Sequence, residues 1–137
     1  MKSVSRRLFL SAFVSVSSVL RALTALPLRG LLTAGRPARL KRTDASELEL
    51  TGDPPTLAVL ADQRLHGAEV ELLGRAKETG KFEVLPIHQR GLFVLKNGKK
   101  LLVSYWCDVC AIRTYAPGKC MCCQDDTALD LKESFDP

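Results

Sequence analysis

Acidic residues are absent from the first 43 positions of this 137-residue chain; the first carboxylate is Asp44. Histidine is nearly absent too, occurring only at His66 and His88. A Ser-His-Asp or Cys-His catalytic site would therefore need His88 beside a nucleophile, and no local arrangement suggests one. No phosphate-binding glycine loop, internal repeat or long low-complexity stretch is present. No apolar run reaches the roughly 20 residues that span a bilayer. Leu8 to Leu20, free of charge, has only thirteen.

Basic charge, by contrast, is concentrated at the start. Lys2, Arg6, Arg7, Arg21, Arg29, Arg36, Arg39, Lys41 and Arg42 precede the first acid, so the overall net charge of +5 belongs to the leader. Residues 44–137 hold 11 basic and 15 acidic side chains, a net of −4. An acidic domain has no general pull toward phosphate backbones or anionic lipid, which argues against nucleic acid as a partner.

The segment 1–29 has the layout of an export signal: a basic start, the twin arginines Arg6 and Arg7, then Leu8-Phe9-Leu10 opening a mildly hydrophobic run kept polar by Ser11, Ser15, Ser17 and Ser18. This implies the bacterial twin-arginine export machinery as a partner. The destination would be the periplasm or the outer face of the cytoplasmic membrane, with membrane contact only through this segment. Leu23-Thr24-Ala25 and Leu32-Thr33-Ala34 are imperfect cleavage sites, so the segment is either cut poorly or kept as an anchor. An arginine- and serine-rich, acid-free start also suits an organellar transit peptide. Residues 30–43, with Gly30, Pro37 and several bases, read as a basic linker.

From residue 44 to 105 the pattern is one of short strands. Glu47–Leu50 alternates polar with apolar, and Gly52-Asp53-Pro54-Pro55 breaks it. Thr56 is placed to cap a helix over Leu57–Leu65. Ala68–Gly74 and Phe82–Ile87 are further strands. Leu92–Leu95 and Leu101–Tyr105 flank Asn97-Gly98, the strongest short hairpin signal. The expected fold class is mainly β: five antiparallel strands curled toward a small barrel, with one short helix.

Leu48-Glu-Leu-Thr-Gly52, the helix, then Leu65-x-Gly67-x-x-Val70-Glu-Leu-Leu-Gly74 and Phe82-Glu-Val-Leu-Pro-Ile87 resemble small exported bacterial OB-fold domains. The ending, from Tyr105-Trp-Cys-Asp-Val-Cys110 to Cys120-x-Cys-Cys123-Gln, is similar to a group of uncharacterised exported bacterial proteins. The resemblance implies fold and export, and no activity.

All five cysteines fall within residues 107–123. Cys107-x-x-Cys110 and Cys120-x-x-Cys123 have the spacing at which a tight turn aims two sulfurs at one ion. Four thiolates about 2.3 Å from Zn²⁺ form a closed, structural site with no open position for a water. Cys122 is an alternative ligand or a free thiol, and His88 is an alternative ligand. Arg113 and Lys119 could offset the charge of a zinc tetrathiolate, whereas Asp108, Asp125 and Asp126 oppose it. Glycine usually follows each pair in a zinc ribbon, but Ala111 and Gln124 stand here. Iron is the lesser expectation for the same donors. Disulfides, copper handling and a redox-active Cys-x-x-Cys complete the alternatives. Tyr105, Trp106 and Tyr115 are expected to cover the site rather than to stack bases.

The expected organisation is thus a signal or anchor (1–29), a linker (30–43), an OB-like domain (44–105), a tetracysteine metal-binding segment (106–131) and a loose tail (132–137). The expected role is a non-catalytic binding or assembly module of the bacterial envelope, its partner a protein or small ligand. The alternative is an envelope thiol-redox or metal-transfer protein.

Overall fold

The computed structural model describes residues 25–133. Nine strands and one α-helix run in the order β1 (Leu26–Thr33), β2 (Arg39–Lys41), β3 (Glu47–Thr51), α1 (Pro54–Leu60), β4 (Glu69–Ala76), β5 (Lys81–Val84), β6 (Leu92–Lys96), β7 (Lys99–Cys107), β8 (Ile112–Thr114) and β9 (Ala128–Lys132). No helix among these residues is long and apolar enough to cross a membrane.

The first five strands close into a barrel. β1 pairs with β2 (Leu31↔Lys41), β2 with β3 (Leu40↔Leu48), β3 runs parallel to β5 (Leu50↔Phe82), β5 pairs with β4 (Gly74↔Val84), and β4 returns to β1 (Leu28↔Leu72). Closure removes the unpaired edges an open sheet would expose. Two glycines let the strands approach closely enough. A Cβ on Gly30 would sit 2.5 Å from the Lys41 carbonyl oxygen, and one on Gly74 would collide with the Glu83 carbonyl oxygen.

Inward-facing side chains fill the barrel: Leu32, Leu40, Leu50, Val70, Leu72, Phe82 and Val84 are buried, and Val59, Leu60 and Leu65 seal one side. Each such side chain contributes about 2 kcal/mol relative to its exposed state. The polar groups taken in with them are satisfied. Among the described residues no buried side-chain nitrogen or oxygen lacks a hydrogen-bond partner. Glu71, the most buried carboxylate, lies between Arg29 and Lys100, each 2.6 Å away.

The fold class agrees with the sequence expectation, but the barrel is made of different strands. β1 and β2 lie where an export segment and a basic linker were expected; residues 30–43 belong to the fold, and the segment 1–29 overlaps it from Leu26 onward. β6 and β7, expected inside the barrel, extend the sheet away from it, β6 joining the far half of β4 through Val70↔Val94. The charge premise changes with the boundary. Arg29, Arg36, Arg39, Lys41 and Arg42 belong to the folded unit, so residues 25–133 carry 16 basic and 14 acidic side chains, a net of +2 rather than −4. Arg6 and Arg7 lie outside the described residues.

Local differences have simple causes. Asp53, not Thr56, caps α1, accepting the Thr56 N–H at 3.1 Å, because Pro54 and Pro55 fit a first helical turn that needs no N–H donors. Thr56 is buried instead and accepts the Ile87 N–H at 2.9 Å. The helix ends at Leu60, and a separate 3₁₀ turn covers Gln63–Leu65. The Asn97-Gly98 turn forms as expected, both residues at positive φ. The tail starts inside β9, where Lys132 pairs with Leu102 and Glu133 meets Lys99 at 2.5 Å.

Candidate metal centre

β7 runs out of the apolar sheet and ends on Cys107. The chain turns through Asp108 to Ala111 and comes back as β8, with Cys107 opposite Ile112. The first cysteine pair therefore forms the tip of a β-hairpin. The second pair repeats the design. Lys119 bridges Asp126, Thr127 donates its N–H to the Gly118 carbonyl at 3.0 Å, and inside that clasp Cys120 donates to Asp125 O (2.8 Å) while Gln124 donates to Cys120 O (2.9 Å).

The two tips share one backbone signature. Ala111 (φ 52°) and Gln124 (φ 64°), each the residue after a Cys-x-x-Cys, adopt the left-handed conformation that glycine takes most easily. The sequence, lacking glycine there, hides this likeness. Within the first tip the Cys110 N–H points at Cys107 Sγ, 3.4 Å away. Within the second, the N–H groups of Cys123 and Cys122 reach Cys120 and push its thiol down to about 7, because they favour the thiolate.

The tips meet. The sulfurs of Cys107, Cys110, Cys120 and Cys123 all lie within 4.8 Å of one another, and Cys107 and Cys123 stand 3.5 Å apart. Four sulfurs at about 2.3 Å around one ion sit about 3.8 Å from each other. A disulfide needs about 2.05 Å. The spacing fits tetrahedral coordination, and all five cysteines are free thiols. The group can hold a metal ion.

Cys107 and Cys120 are buried, Cys110 and Cys123 half-buried. Cys122 is exposed and stands outside the group of four. The neighbouring Cys122 thiol, followed by burial and the Cys123 and Cys120 thiols, holds the Cys110 thiol above its usual range. His88 lies on the 3₁₀ turn Ile87–Gln89 and is not in the sulfur group. Arg113 and Lys119 each meet a carboxylate. Arg113 lies 2.6 Å from Asp130, and Lys119 3.3 Å from Asp126.

Long-range contacts that spacing could not reveal tie this end to the barrel. Tyr105, fully buried, donates its hydroxyl to Asp62 at 2.8 Å, and Arg64 lies over its ring while donating to the Thr127 carbonyl at 3.1 Å. Burial alone would raise the Asp62 carboxyl, but hydrogen bonds from Arg64 and Tyr105 bring it below its usual range. Arg113 packs over Trp106 and donates to Ser104 Oγ and Asp130. The aromatics flanking the cysteines thus differ: Tyr105 is core, Trp106 is half-buried, and Tyr115 is exposed. Comparison of the chain with family models, with curated proteins and with solved structures finds no match.

Proposed function

We propose that this protein is a small exported module of the bacterial envelope whose tetracysteine end holds one structural Zn²⁺, and that it binds or assembles with a partner rather than catalysing a reaction. The observation that carries this reading is the convergence of four sulfurs on one point from two matching hairpin tips. Cys107, Cys110, Cys120 and Cys123 would be the ligands. When bound, the ion would supply cross-linking and would hold its ligands as thiolates, releasing their protons. Four protein ligands complete a tetrahedron, so the site is suited to structure and not to activating a water. Iron fits the same donors less specifically.

Export through the twin-arginine route agrees with such a site, since a thiolate centre is best assembled in the reducing cytoplasm before translocation. If the leader is cleaved, the fold favours the earlier of the two cleavage points. A cut after Ala34 would remove β1, a barrel strand, whereas a cut after Ala25 leaves every strand whole. A mature chain beginning at Leu26 is expected, and N-terminal sequencing of the protein from its own envelope fraction reads it directly.

A second reading rests on the exposed Cys122, which stands outside the group of four and directly before Cys123 in the chain. A fifth thiol beside a ligand suits an envelope redox or metal-transfer protein, in which Cys122 would exchange with Cys110. Metal analysis and thiol alkylation of natively purified protein separate the two. One zinc per chain, with one thiol alkylated at once and four only after chelation, supports the structural reading. Sub-stoichiometric metal with reversible disulfide formation supports the second.

A further inference from the structure

Burial is unevenly placed at the cysteine end. Seven large apolar side chains are exposed among the described residues, and three of them, Val109, Ile112 and Met121, fall within thirteen positions around the two tips. Met121 is 93% exposed and Val109 68%, higher than the other five. Each sits between the two cysteines of its own pair, so the convergence of the four sulfurs brings the turns that carry them side by side. Two such apolar side chains on turns brought together, rather than one alone, mark this end as a candidate contact surface.

The charge around this patch states what kind of surface can cover it. Asp108 and Asp125 have no ion pair among the described residues, and Asp126 pairs with Lys119 and feels the charge of Arg64. Residues 106–127 hold three acids and two bases. A Zn²⁺ held by four thiolates adds two further negative charges, which gives this end a net of −3 while the β1–β2 side of the barrel carries five bases. Anionic lipid and nucleic acid are repelled by such an end. A protein segment with apolar side chains flanked by lysine or arginine is attracted, because its cations meet the acidic rim while its apolar atoms cover the tips.

We infer that the paired cysteine tips form a docking surface for a basic, apolar segment of a partner protein, with Val109 and Met121 as its apolar contacts and Asp108 and Asp125 as its charged rim. The metal, on the reading proposed above, fixes the two tips in one geometry so that little order has to be gained on binding.

The test uses the full-length mature protein and two synthetic probes: an 18-residue peptide with leucines at helical spacing and lysines between them, and a twin carrying glutamate at every lysine. The metal content of each sample is measured first. The lysine peptide is expected to shift backbone NMR signals confined to about residues 108–123, to bind at least tenfold more tightly than its twin, and to weaken as salt rises. The exposed double variant Val109→Ser/Met121→Ser should keep its metal and lose at least tenfold in affinity for the lysine peptide. Equal binding of both peptides, shifts centred elsewhere, or an unchanged double variant would overturn the docking surface. So would binding of the protein itself, without peptide, to phosphatidylglycerol vesicles through residues 108–123. A sample that holds metal but fails to bind refutes this inference alone, whereas a metal-free sample with paired thiols refutes the structural-zinc reading first.

Discussion

The barrel and the cysteine end solve the same problem by different physics. Every member of the continuous hydrophobic core lies between Leu32 and Tyr105. From Asp108 to Asp126 only one residue is buried, and it is Cys120. The barrel is held by apolar area removed from water, spread over many side chains, so no single loss is decisive. The cysteine end has almost no such area. Its two tips are shaped by backbone hydrogen bonds and brought together at four sulfurs that can hold one ion, so on the proposed reading its order hangs on a few bonds to that ion. A region of this size with so little buried surface would not be expected to hold one geometry without such a staple.

Four changes would sharpen or break that contrast. The largest effect is expected for Cys120→Ser, at the one buried position of the segment. Structural zinc sites of this type are worth about 10 kcal/mol or more at neutral pH. Metal should be lost and residues 108–127 should become protease-sensitive, while the circular dichroism of the barrel stays; collapse of the barrel along with the tip would break the contrast. Next comes Leu72→Ala in the barrel. It should cost about 2–5 kcal/mol of global stability in urea and leave the metal-to-protein ratio of the folded fraction unchanged.

A smaller effect is expected at Glu71, whose carboxyl Lys100 and then Arg29 hold below its usual range, against the opposing effect of burial. A carboxyl depressed in the folded state adds stability above its unfolded pKa and loses it as the pH falls through the folded value. The barrel should therefore weaken as the medium is acidified below about pH 4.5. Glu71→Gln should cost about 1 kcal/mol near neutrality and flatten this part of the acid profile. Smallest is Ala111→Gly. Removing a Cβ from a left-handed position, partly offset by the greater freedom of glycine in the unfolded chain, should strengthen the first tip by about 0.5 kcal/mol, read as slower release of metal to a chelator.

The parts of the molecule that the sequence made legible are those with local causes. The Asn97-Gly98 turn needs positive φ at two adjacent residues, and the Cys-x-x-Cys spacing is a property of four consecutive positions. What stayed hidden depends on pairing between distant segments. β2 is three residues long and buries only Leu40, with Arg39 and Lys41 pointing outward, so alone it looks like a charged linker. β1 carries Pro27, Arg29 and Gly30, and it becomes a strand because β4 and β2 flank it. The same limit placed β6 and β7 in the barrel: alternation identifies a strand but not its neighbour, and the parallel β3–β5 pairing that closes the ring has no local signature. At the metal centre the four cysteines were readable, whereas the contacts that seat them were not. Asp62 and Tyr105 lie 43 residues apart, and Arg64 and Thr127 lie 63 apart.

Backbone amide exchange, measured on the natively loaded protein before and after a zinc chelator, compares the two regions in one experiment. Protection at residues 108–127 should fall to that of an open chain, while β1 to β5 keep theirs. A chelated or metal-free protein in which those residues exchange as slowly as the barrel would contradict the view that sulfur coordination organises this end.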